Sequence, residues 1–111
     1  MCLDNRTPYD PPIPKMYAWM GVVKKGDLSF SPYQEEEVPI GLTVEAHHWI
    51  GLHAFKTRAE ARKWKRTTIK RTFYPTCVLR VLLEEVTHTG TFDGQDVCYE
   101  ARYRTALKVA R

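Results

Sequence analysis

The chain has 111 residues, enough for one domain with its own core. An apolar fraction of 43% and a charged fraction of 27% exclude a disordered or fibrous chain. The net charge of +4 leans towards acidic partners, well short of a histone-like excess.

The cysteines Cys2, Cys77 and Cys98 form an odd set with no CxxC pair. They read as free thiols in a reducing compartment. No apolar run is long enough to span a bilayer. The N-terminus carries Asp4 and several prolines and lacks the basic-then-apolar order of a signal peptide. The expected location is the cytoplasm.

Residues 1–14 include Pro8, Pro11, Pro12 and Pro14. Proline removes donors and favours extended geometry, so this lead is expected as an arm, or as an extended segment lying on the body. A single α+β domain is expected over residues 15–111. In residues 15–24, Met16, Ala18, Met20 and Val22 alternate with Tyr17, Trp19, Gly21 and Val23. Both sets are apolar, which predicts a strand covered on both sides. Lys25-Gly26-Asp27 reads as a turn, and Leu28-Ser29-Phe30 as a short returning strand. Residues 31–41 form a loop punctuated by Pro32, Pro39 and Gly41, with Glu35, Glu36 and Glu37 as an exposed acidic run. Residues 42–55 lean towards β structure.

A helix is expected over residues 57–70. Thr57-Arg58-Ala59-Glu60 fits a capping box, in which each end residue satisfies the other's backbone N–H. Glu60 also suits the positive end of the helix dipole. Thr67, Thr68 and Ile69 are β-branched and weaken the far end. At about 100° per residue, Ala61, Trp64 and Thr68 share one stripe with Thr57. Arg58, Arg62, Lys63, Lys65, Arg66 and Lys70 fan across the opposite arc. A helix buried on the Trp64 stripe presents a basic face, either a solvated exterior or a footprint for phosphates or an acidic protein surface.

Tyr74-Pro75 breaks the pattern. Residues 77–86 read as a strand whose Cys77, Leu79, Val81 and Leu83 make an apolar face. Asp93-Gly94 is a hairpin signal, and Gly90 before it suggests a bulge or wider loop. The closing stretch alternates Val97, Tyr99, Ala101, Tyr103, Thr105, Leu107 and Val109 with Cys98, Glu100, Arg102, Arg104 and Lys108. It predicts a strand with one wet face, with a helix as the competing assignment. The fold expected is α+β: an antiparallel sheet of about four or five strands, a common size, with one main helix packed on a face.

His47, His48, His53 and His88, with Cys77 and Cys98, invite a metal reading, but their spacing matches none of the usual zinc patterns. P-loop, GxGxxG, GxSxG and HExxH motifs are missing. The sequence therefore names no catalytic residue, metal ligand or cofactor.

The segment Gly51-Leu52-His53-Ala54-Phe55, followed by Lys56-Thr57 and the alanine-bearing helix, resembles small phage and prophage proteins. That resemblance implies a compact α+β protein that inhibits a host factor, as anti-CRISPR and other anti-defence proteins do. A looser version, a glycine and aromatic strand end before a helix with small residues, resembles ADP-ribosyltransferase-like folds. It implies a nicotinamide cleft, for which Tyr17, His53, Tyr74 and Glu84 or Glu85 would supply the side chains.

Three functions follow as expectations. The first is a non-enzymatic binding protein, acting on a host protein with an acidic or phosphate-mimicking surface. The second is a nucleic-acid-binding module using the helix with Arg102, Arg104 and Lys108. The third is a small transferase. No membrane partner is expected.

Overall fold

The computed structural model describes residues 3–26, 28–30, 37–46, 51–68, 75–92 and 96–110; side chains are described for these except 65–68 and 108–110. The chain order is β1 (Asp4–Lys25), β2 (Leu28–Phe30), β3 (Thr43–Glu45), β4 (Leu52–Phe55), α1 (Arg58–Thr68), β5 (Thr76–Phe92) and β6 (Asp96–Ala110). All six strands belong to one antiparallel sheet.

The α+β expectation is overturned. Among the described residues the protein is nearly all β, with one helix of eleven residues. The difference lies in strand length. β1 has 22 residues because the proline-rich lead does not stand apart; it forms the first half of the strand and pairs with β5. β5 has 17 residues because it continues past residue 86 through Gly90 to Phe92. Gly90 is neither a loop nor a bulge: it pairs with Cys98, and an added Cβ would lie 2.8 Å from the Asp4 carbonyl oxygen. The glycine allows β1 to lie close over β5.

Hydrogen bonding runs in a circuit. β1 pairs with β5, β5 with β6, β6 with β4, and β4 with β1 through Trp19 and Phe55. β2 and β3 extend the outer edges of β1 and β6. The circuit has two apolar faces. Ala18, Met20, Val22, Ala54, Leu79, Val81, Leu83, Val86, Ala101 and Ala106 cluster on one. Val23, Phe55, Val78 and Cys98 cluster on the other, where Ala61 and Trp64 of α1 cover them. The doubly apolar alternation of residues 15–24 has its physical reason from Ala18 onward, where Ala18, Met20 and Val22 enter one cluster and Trp19 and Val23 the other, while Tyr17 is 57% exposed.

The helix covers a patch around Phe55 rather than roofing a face. Trp64 is 6% exposed and its ring lies 5.9 Å from that of Phe55. Only half of the capping box forms. The Glu60 N–H donates to Thr57 Oγ1 at 3.2 Å, while the Glu60 carboxylate accepts from the Thr57 hydroxyl at 2.7 Å and from the Val97 N–H at 2.5 Å. Glu60 therefore ties the helix start to β6.

The last stretch is a strand, as expected, but the face predicted to be wet is largely covered: of its described members only Arg102 is exposed. Cys98, Glu100 and Arg104 are buried, whereas Leu107 is 37% exposed. The alternation breaks where Arg80 pairs with Lys108 and Val81 with Ala106, leaving Leu107 as an extra residue. Such a bulge exchanges the sides taken by the residues beyond it.

Candidate functional site

Glu100 is the hub of a polar row across three strands. In β4, His53 is its register partner, and in β5, His88 is. The β5 register shifts between Val86 and His88, next to Glu85 with its φ of 51°. That irregularity brings His88 opposite Glu100. Pro8 of β1 pairs with His88, and Arg6, two residues away, reaches the same carboxylate.

The contacts are direct. Arg6 donates to Glu100 Oε2 from Nε at 3.1 Å and from Nη2 at 2.5 Å. His53 Nε2 lies 3.1 Å from Oε1. His88 Nδ1 lies 2.9 Å from Oε2 and 2.9 Å from Thr87 Oγ1. The Thr87 hydroxyl donates to the Glu100 carbonyl oxygen. Side-chain exposure rises along the row, from 8% at Glu100 and 14% at His53 to 26% at His88 and 48% at Arg6. Gly51 closes the site from β4's approach: a Cβ there would stand 2.1 Å from Glu100 Cγ. Glycine is required at position 51 by space.

Protonation follows from these contacts. Burial pushes the Glu100 carboxyl up, but hydrogen bonds from Arg6 and His53 outweigh it and hold the group below the ordinary carboxylate range. Burial lowers His53 from its usual value, opposed by its bond to Glu100 and assisted by the charge of Arg104. Ionised Glu100 only accepts, so neutral His53 carries its proton on Nε2 and leaves Nδ1 as an acceptor. His53 Nδ1, His88 Nε2 and Arg6 Nη1 make no hydrogen bond among the described residues. Each cationic or imidazole group thus spends one side on Glu100 and has another polar atom that this carboxylate does not engage.

The ring nitrogens face carboxylate oxygens at hydrogen-bond distance, and no group of three or more His, Cys, Asp or Glu among the described residues is arranged around a metal. Cys98 is no thiolate: burial, with Glu60 and Asp96, pushes it up to about 12.

The basic helix face does not stand as the organising surface. Arg58 is half-buried, with Nε and Nη2 buried and lacking a hydrogen-bond partner. Lys63 lies 3.4 Å from Asp96. Arg62 is exposed. The side chains of Lys65 and Arg66 and the whole of Lys70 lie outside the described residues. On β6, Arg104 is buried. Arg102 is exposed but lies 3.6 Å from both Glu45 and Glu85 and covers the Tyr103 ring. Among the described residues, Arg58, Arg62 and Lys63 lie on α1 and Arg102 and Arg104 on β6.

The transferase assignment changes as well. His53 is in the row, but the late glutamate beside it is Glu100. Glu85 is exposed beside Arg102, and Tyr17 lies under Arg80. Tyr74, His47 and His48 lie outside the described residues.

The chain matches no family model, and no curated protein and no solved structure matches it.

Proposed function

We propose that this protein binds a phosphate-bearing ligand, a nucleotide or a nucleic-acid strand, at the row centred on Glu100. The observation that carries this reading is the convergence of Arg6, His53 and His88, from three strands, on one carboxylate, each with a further polar atom left over. A guanidinium fork and imidazole N–H groups are the donors that phosphate oxygens accept best. The net charge of +4 favours encounter with such a ligand. Glu100 fixes the rings and keeps the empty site near neutral. A bound phosphate brings negative charge beside His53 and favours its protonated form.

Binding is therefore expected to take up protons. Calorimetry with a nucleoside monophosphate, in two buffers of different ionisation heat, measures this directly. Tighter binding at pH 6 than at pH 8, with net proton uptake and loss of affinity in Arg6→Ala, supports the reading. Proton-independent binding unaffected by Arg6→Ala would overturn it.

The host-protein inhibitor of phage type rests on the basic helix face, where Arg58 is half-buried and Lys63 lies 3.4 Å from Asp96; the row centred on Glu100 offers more converging donors. No helix among the described residues is long and apolar enough to cross a membrane. The buried Cys98 thiol, outside any disulfide, supports a reducing compartment such as the cytoplasm.

A further inference from the structure

We propose that two copies of this protein pair face to face through the outer side of β1, β5, β6 and β3, about a twofold axis that runs across the strands. This surface lies apart from the Glu100 row and goes beyond the phosphate-binding reading. Register partners in an antiparallel sheet stand on the same side, and so do residues two apart on one strand. The pairings therefore set three rows on that side. Trp19 stands beside Arg80. The middle row is Tyr17, Leu82, Thr105 and Thr43. The third is Lys15, Glu84, Tyr103 and Glu45. The Thr43 and Thr105 hydroxyls lie 2.8 Å apart, which marks the common side directly. The alternate residues Ala18, Leu79, Val81, Leu83 and Ala106 are buried in the core.

The outer side is open. Tyr17 is 57% exposed, and the Arg80 guanidinium lies 4.4 Å from its ring centroid. Arg80, Leu82, Glu84 and Tyr103 are half-buried, and Lys15, Thr43 and Glu45 are exposed. The helix cluster reaches this face only at Trp19. Among the described residues Lys15, Arg80 and Glu84 make no ion pair. A half-buried carboxylate and a half-buried guanidinium thus share one face without an opposite charge in contact.

The order of the rows selects the partner. Arg80 stands in one outer row and Glu84 in the other, with an uncharged row between them. Turning a second copy over about the middle row lays Arg80 against the partner's Glu84 and Trp19 against the partner's Lys15, each contact made twice. Tyr17 and Leu82 then meet their own counterparts near the axis. A twofold axis along the strands would set each row against itself and oppose like charges. Lys15 and Arg80 are balanced on this face by Glu84 and Glu45, so it does not attract a phosphate strand or an anionic membrane as a basic surface would. Strands about 4.8 Å apart and rows about 7 Å apart make a patch roughly 15 Å on each side. An interface of that size gives weak, reversible pairing.

Sedimentation equilibrium of the full chain, from micromolar to millimolar concentration, tests this. The wild type should pass from monomer to dimer. Arg80→Glu and Glu84→Arg should each weaken pairing by about tenfold or more, because like charges then face each other twice. An equimolar mixture of the two variants should recover the dimer, since each contact again joins opposite charges. Circular dichroism checks folding. If either charge variant does not fold, Tyr17→Glu carries the test by the same loss of pairing, because Tyr17 is exposed in the monomer. A monomer throughout overturns the inference, as does a dimer that none of the variants weakens. Variants that stay apart when mixed overturn it too. A monomer that binds single-stranded nucleic acid through Tyr17 would give the face a different occupant and also overturns it.

Discussion

Phe55→Ala should cost about 3–5 kcal/mol of stability, the range for removing a fully buried aromatic ring. Phe55 is 2% exposed and is the largest of the fully buried side chains. It is also where three parts of the fold meet. Its backbone pairs with Trp19 of β1 and with Cys98 of β6, closing the strand circuit. Its ring lies 5.9 Å from Trp64 of the helix and 6.1 Å from Phe92 of β5, edge-on to the latter. Alanine would leave a cavity bounded by strands on one side and the helix on the other, which cannot close without breaking the circuit. Chemical denaturation measures the loss. A change below about 1 kcal/mol would show that the helix collapses into the space and that Phe55 is not the anchor of that face.

Acidification should destabilise the protein in two stages that belong to different residues. His53 has a folded pKa below the usual 6.5. As pH falls through that value the unfolded chain takes up a proton that the folded chain refuses, so stability drops until the lower folded value is reached. Glu100 has a folded pKa below the usual 4.5. Its contribution is complete above that value and is lost as pH falls through the folded one. His53→Gln should therefore remove the upper stage and Glu100→Gln the lower. Glu100→Gln should also cost about 1–3 kcal/mol at neutral pH, because the amide directs donor hydrogens at groups that need an acceptor. Arg6 is half in solvent, which keeps its share small. Melting curves across pH decide the matter. A flat profile from pH 7 to pH 5 in the wild type would contradict the lowered His53 value.

Part of this site was legible in the sequence. Asp93-Gly94 marks the hairpin between β5 and β6, whose strands pair at Phe92 and Asp96. Counting back four residues on each strand from that pair reaches His88 opposite Glu100. Period-2 alternation alone misplaced Glu100 on a wet face, because it takes no account of what covers the strand. The other two members were out of reach. His53 meets Glu100 only because β4 pairs with β6, and Arg6 only because the proline-rich lead continues β1. Both are long-range pairings with no local signal. The buried stripe of the helix was readable from spacing, since Ala61 and Trp64 are buried while Arg62 and Lys63 are exposed. Its weight in the fold was not, because helix propensity says nothing of how long the neighbouring strands run.

The claim that the row is a ligand site, and not a pin between β1 and β6, is tested most directly by imidazole nitrogen resonances. In the free protein near neutral pH, His53 should appear neutral with its proton on Nε2. Adding a nucleoside monophosphate should shift His53 towards the protonated form and perturb the His88 signals with it, and Arg6→Ala should weaken that response. Imidazole signals that stay unmoved at saturating nucleotide, in a protein that Glu100→Gln destabilises, would show that the row holds the strands together and does nothing else.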